Sequence, residues 1–166
     1  MKKLFFTLAL VLTVIFVNNS FAQITGSILA KGTVLAPISI TATRDLDFGN
    51  DILPGIVRTV DKSASTSGKF SLAGQSSKQI NITLTTPTNL INGANNLPIS
   101  FTATDAGYKT PTGTLTAFNP ATPTNASFGS EGTMDVFLGG KVTPASNQVA
   151  GLYTATVNIS LYYTGN

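Results

Sequence analysis

The densest group of chemistry-bearing side chains in this sequence is RDLDFGND, where Asp45, Asp47, Asn50 and Asp51 fall within seven residues. Hard oxygen donors this close together suit Ca²⁺, but the spacing is not that of an EF-hand loop and Arg44 supplies a local counter-charge. Asp45 and Asp47 also share a strand face, opposite Leu46 and Phe48. Paired carboxylates hydrolyse glycosides only where a fold sets them across a cleft. Polar residues beside a strand end and a Gly turn are the plainer account. No metal is expected, with Asp45, Asp47 and Asp51 the weak candidates.

Other chemistry is constrained by what is missing. The chain has no His, Cys or Trp, which removes the usual general base, the soft metal ligands and the thiol nucleophile. A Ser–Lys arrangement around Ser76, Ser77 and Lys78 is the nearest approach to an activated hydroxyl. No catalytic residue and no cofactor are expected. Tyr108 and Tyr162 are the best placed rings for stacking on a sugar. Asn81, Asn125 and Asn158 each begin an Asn-x-Ser/Thr sequon, a pattern that a chain rich in Asn, Ser and Thr also generates by chance.

These residues belong to a chain that carries an export signal. Lys2 and Lys3 precede an apolar run from Leu4 to Val17, and Ser20-Phe21-Ala22 supplies the small residues of a cleavage site. Residues 1–22 are therefore expected to be a cleaved signal peptide, the only part of the chain to meet a membrane. The run is too short to span ~30 Å of hydrocarbon comfortably. With no Cys after it, a lipoprotein anchor is excluded. The remaining 144 residues are the size of one domain. Removing Lys2 and Lys3 leaves eight basic side chains against seven acidic, a balance of +1. Nothing there recruits nucleic acid.

The elements that must position these residues are strands. Apolar residues alternate at Val34–Ala42, Ile80–Leu84, Leu97–Ala103 and Met134–Leu138, with Gly and Pro between the runs. Pro37 inside the first run implies an edge or a bulge. Gly139-Gly140 reads as a hairpin. The longest alternation is GLYTATVNISLYY, which places Tyr153, Val157, Ile159, Leu161 and Tyr163 on one face. The pattern predicts an all-β, antiparallel sandwich of about seven to nine strands over residues 34–166. Residues 23–33 form an N-terminal extension in which Ile24, Gly26, Ile28 and Ala30 alternate.

Three stretches carry a family resemblance: DLDFG at 45–49, KFSLAG at 69–74 and FLGGKVT at 137–143, ahead of the terminal GLYTATVNISLYY. Together they resemble a widespread bacterial family of secreted proteins known as domain of unknown function 4402. That family looks related to the major subunit of the Mat/Ecp common pilus and, more remotely, to spore-coat-U-like pilus subunits. The resemblance implies an immunoglobulin-like, pilin-like sandwich completed by a strand from a neighbour. Residues 23–33 would be the donor strand, through Ile24 and Ile28. Tyr153, Val157, Ile159, Leu161 and Tyr163 would form the receiving strand.

The expected protein is an exported, non-enzymatic structural subunit of a fimbria or other bacterial surface polymer, found in the periplasm, at the cell surface or in the fimbrium. Its expected partners are further copies or other surface subunits, with a periplasmic chaperone before assembly. Two alternatives are a self-contained secreted sandwich that binds a glycan or protein through its loops, notably 109–127, and a small outer-membrane barrel.

Overall fold

The computed structural model describes residues 23–165, so the expected signal peptide lies outside the described residues. Residues 23–33 have no regular secondary structure, and every one of them is exposed. The compact unit begins at Val34.

Its described residues form strands, turns and irregular backbone, with twelve strands among them. They are β1 (Ser39–Arg44), β2 (Arg58–Val60), β3 (Gly68–Ala73), β4 (Gln79–Thr85), β5 (Asn89–Asn92) and β6 (Asn95–Ser100), followed by β7 (Ala106–Lys109), β8 (Thr116–Phe118), β9 (Thr124–Ser127), β10 (Thr133–Leu138), β11 (Gly140–Val142) and β12 (Asn158–Tyr163). Every ladder is antiparallel. One sheet runs β1-β3-β10-β7-β8, a second β2-β11-β6-β5 and a third β12-β4-β9. None closes on itself, as the barrel alternative would require.

Alternation explains the core where strands are central. Leu72 on β3, Ile80 and Ile82 on β4, and Met134, Val136 and Leu138 on β10 point inward and are at most 2% exposed. They join Phe118 and Phe128 in one cluster shared by the first and third sheets. A second cluster gathers Phe48, Val60, Leu97, Ile99 and Val142 around the second sheet. Leu46 and Phe101 touch both clusters and tie them together.

The strand count exceeds the seven to nine expected because long alternations are divided and short polar strands are added. In the first run only residues 39–44 form a strand; Pro37 precedes it instead of interrupting it. Leu46 and Phe48 pack inward from irregular backbone. Gly139-Gly140 is not a hairpin. β10 and β11 lie in different sheets, and the chain passes between them at Gly139, where a Cβ would stand 2.4 Å from the Val60 carbonyl oxygen. A hairpin does occur at Gly93-Ala94, between β5 and β6, with Gly93 at φ 58°.

The last alternation is also shorter than its pattern. The ladder to β4 covers residues 158–163, and the stretch before it makes one bridge, between Thr154 and Ile91. There the chain leaves the second sheet for the third, so no single neighbour can accompany residues 153–163 throughout.

Candidate functional site

Two of the four outer strands around the main core, β1 and β12, are incompletely covered. Ile40 on β1 lies opposite Leu72 in the ladder and so faces the core, yet it is 41% exposed. On β12, Ile159, Leu161 and Tyr163 lie opposite Leu84, Ile82 and Ile80 and pack on the core only in part. β1 pairs with β3 alone and β12 with β4 alone, which leaves each with one unpaired edge.

The segments that flank these two strands approach each other on one side of the domain. At one end they are drawn together by Tyr163, whose hydroxyl donates to the Ala36 carbonyl (2.8 Å) and accepts from the Gln75 amide (2.6 Å). Gly74 makes this approach possible, because a Cβ there would lie 2.7 Å from the Tyr163 hydroxyl and 2.6 Å from the Phe128 ring. Toward the other end the edges separate into an open groove of about 1230 Å³. One wall is residues 42–50, the other residues 148–157, and Phe70, Leu90, Leu97, Ile99 and Leu138 line it between them. Since Ala36 meets Tyr163 while Ala42 and Arg44 share the groove with Thr156 and Val157, β1 and β12 run in opposite directions across the gap.

Much of the wall backbone is paired by no ladder. Residues 45–50 and 155–157 belong to no strand, and Leu152, also in the wall, is 81% exposed. An apolar floor between two lines of available amides and carbonyls is the chemistry that accepts an added β-strand.

The expected interaction residues divide. Val157 lines the groove, and Ile159, Leu161 and Tyr163 continue the same strand face beyond it. Tyr153 also borders the groove but packs on the second cluster, with its hydroxyl donating to the Val149 carbonyl (2.7 Å) and accepting from Gln148 (2.7 Å). Ile24 and Ile28 are 94% and 98% exposed. Sequence reasoning did not assign Leu46, Phe70, Leu97 and Ile99 to a site. Their alternation signalled burial, and burial alone does not distinguish a groove floor from a closed core.

The acidic cluster does not assemble. Among the described residues no three His, Cys, Asp or Glu side chains come together. Asp47 accepts from the Gly49 amide (2.8 Å) and Asp51 meets Arg58 at 3.6 Å. Arg44 serves neither carboxylate; its guanidinium donates to the Ser67 carbonyl and hydroxyl (2.5 and 2.8 Å), pinning the loop after β2. In that loop, hydrogen bonds from the Ser63 hydroxyl and amide hold the Asp61 carboxyl below its ordinary pKa.

The other candidates resolve into structure. Ser77 occupies a left-handed turn at φ 59°, its amide donating to the Gly129 carbonyl. Tyr108 is half-buried against Phe118, at 6.1 Å between ring centroids. Tyr162 is exposed on the outer face of the third sheet, opposite Asn81, which donates to Asn125 (2.8 Å). The sequons follow from alternation, since residues two apart on a strand share a face and a polar outer face supplies Asn-x-Ser/Thr.

Family comparison addresses the whole of this architecture. The model of the domain of unknown function DUF4402 matches residues 38–163, from just before β1 to the end of β12. The chain belongs to the DUF4402 family. The matched DUF4402 span contains both walls of the groove and leaves residues 23–33 outside it. No curated protein matches this DUF4402 chain.

Proposed function

We propose that this DUF4402 protein is an exported, non-enzymatic structural subunit that assembles into a fimbria-like surface polymer by strand complementation. On this reading the domain is an immunoglobulin-like, pilin-type sandwich lacking one strand. The observation that carries the reading is a groove with an apolar floor between residues 42–50, which run on from the singly paired strand β1, and residues 148–157, which run into the singly paired strand β12. An inserted strand would meet backbone groups of both walls and cover Leu46, Phe70 and Val157. Before assembly the same groove would need protection, and a periplasmic chaperone that lends a strand meets that need. The residues of the extension, Ile24 and Ile28, would each contribute about 1.5–3 kcal/mol on burial.

Purified mature protein should form ladders on native gels and filaments by electron microscopy. Deleting residues 23–33 should abolish both. A stable monomer whose thermal melting is unchanged by that deletion would refute strand complementation and favour a self-contained binding module.

A further inference from the structure

The third sheet has an outer face that the groove does not use. On β4 the inward residues Ile80 and Ile82 belong to the main core, and the outward residues are Gln79, Asn81, Thr83 and Thr85. The paired strands add Asn158, Ser160 and Tyr162 on β12, and Asn125 and Ser127 on β9. All three Asn-x-Ser/Thr triplets of the sequence therefore fall on this one face. None of these residues is charged and none is aliphatic. The first sheet differs. Its outer face carries Lys69, Asp135 and Lys109, with Lys69 and Asp135 paired at 2.8 Å.

At the centre of the face the side chains are held in order. Tyr162, Asn81 and Asn125 lie side by side across the three strands. Asn81 is only 8% exposed, and both ends of its amide are engaged. Its nitrogen donates to the Asn125 side-chain oxygen (2.8 Å), and its oxygen accepts from the Thr83 hydroxyl (3.2 Å). The first of these bonds fixes which way Asn125 is turned. With its oxygen toward Asn81, its nitrogen faces away, on a residue that is itself exposed. On the other flank the Tyr162 ring is 59% exposed. Ring and amide stand two strand spacings apart, ~10 Å, with a nearly buried polar residue between them.

This chemistry selects its ligand. A face without charge offers no attraction to phosphates, acidic polymers or charged peptides. A face without aliphatic side chains lacks the apolar centre of a protein interface. What remains is a set of amides and hydroxyls, each able to donate and accept, beside one open ring. A sugar matches both: its hydroxyls bond to the polar groups, and its C–H face lies on the ring. Because Asn125 is already ordered by Asn81, binding costs less side-chain entropy. We propose that the outer face of the third sheet binds an uncharged glycan, with Tyr162 stacking on a sugar ring and Asn125 donating to its hydroxyls. The face is complete on a single chain, so the proposal does not rest on assembly. In a polymer the face would be repeated, and binding to a polysaccharide would gain from multivalency.

The test is affinity electrophoresis of the mature chain in native gels cast with soluble neutral polysaccharides (a β-glucan, a xyloglucan, a mannan and a galactomannan) or with acidic polygalacturonate. Each is read against a gel without polysaccharide. Tyr162→Ala, Tyr162→Phe and Asn125→Ala run beside the unmodified chain, with thermal melting as the check on folding. At least one neutral polysaccharide should retard the chain, and polygalacturonate should not. Tyr162→Ala and Asn125→Ala should each weaken binding by about 3- to 10-fold, and Tyr162→Phe, which keeps the ring, by less than about 2-fold. Unretarded migration in every neutral gel overturns the inference. So does retardation that a folded Tyr162→Ala variant keeps in full, which places the glycan elsewhere. Retardation confined to polygalacturonate overturns it too, since that ligand needs cations that this face lacks. Should Tyr162→Ala melt lower, Asn125→Ala decides, and unchanged retardation there overturns the inference equally.

Discussion

Tyr163 carries more of this architecture than its place near the end of β12 suggests. Its hydroxyl ties β12 to the chain before β1, through Ala36 and, beside it, Gln75. Tyr163→Phe keeps the ring packed on the core while leaving the partly buried Gln75 amide without its partner. Hydrogen bonds of this kind contribute about 0.5–1.5 kcal/mol each. A loss of about 1–2.5 kcal/mol in the monomer is expected, measured from the urea midpoint at unchanged m-value. Gly74→Ala should match or exceed it, since its methyl would collide with both the Phe128 ring and the Tyr163 hydroxyl. If Tyr163→Phe leaves the midpoint where it was, the two edges are not tied through this side chain.

At the scale of the strand, the sequence announces β3, β4 and β10 clearly because both neighbours of each are present, and in β4 and β10 one face is fully buried. Alternation then coincides with burial, as at Ile80 and Ile82. It says less about β1, where Ile40 and Ala42 alternate as well as any core residues but both stay exposed. Pattern encodes which side a residue faces, not whether anything stands opposite. β5, β7 and β9 escape notice for a different reason. Asn89–Asn92, Ala106–Lys109 and Thr124–Ser127 are four residues each and mostly polar or small, and their strand character comes from the ladders they complete. The passage at Gly139 mimics a hairpin because close approach of a backbone and reversal of a chain both demand glycine. The unequal cover of the strands has a measurable consequence. Ile82→Ala should cost about 2–5 kcal/mol in the isolated chain, as a fully buried truncation does. Ile40→Ala should cost under about 1 kcal/mol there, because water already reaches the side chain. In the assembled state the order should narrow, with Ile40→Ala weakening association. Equal costs in the monomer would mean that β1 is covered in solution.

For the molecule as a whole, the same asymmetry should appear as a map of local stability. The ladders around β3, β10 and β4 have neighbours on both sides and share the larger core, so their amides should exchange only on global unfolding. Residues 39–50 and 151–157 combine an open edge with incomplete cover and should exchange early, through local opening. The extension should offer no protection at all while the chain is alone, because residues 23–33 have no ladder. Assembly by strand addition then predicts a restricted pattern of change. Protection should appear in residues 23–34 and rise along 39–50 and 151–163, while the second sheet's β11 ladder and the outer strand β9 stay as they were. Hydrogen exchange followed by mass spectrometry on monomeric and assembled protein measures this directly. Protection gained instead at the loop 109–127 or across the outer face would mean that copies associate through surfaces already complete. The unpaired edges would then be a property of the fold with no part in joining molecules.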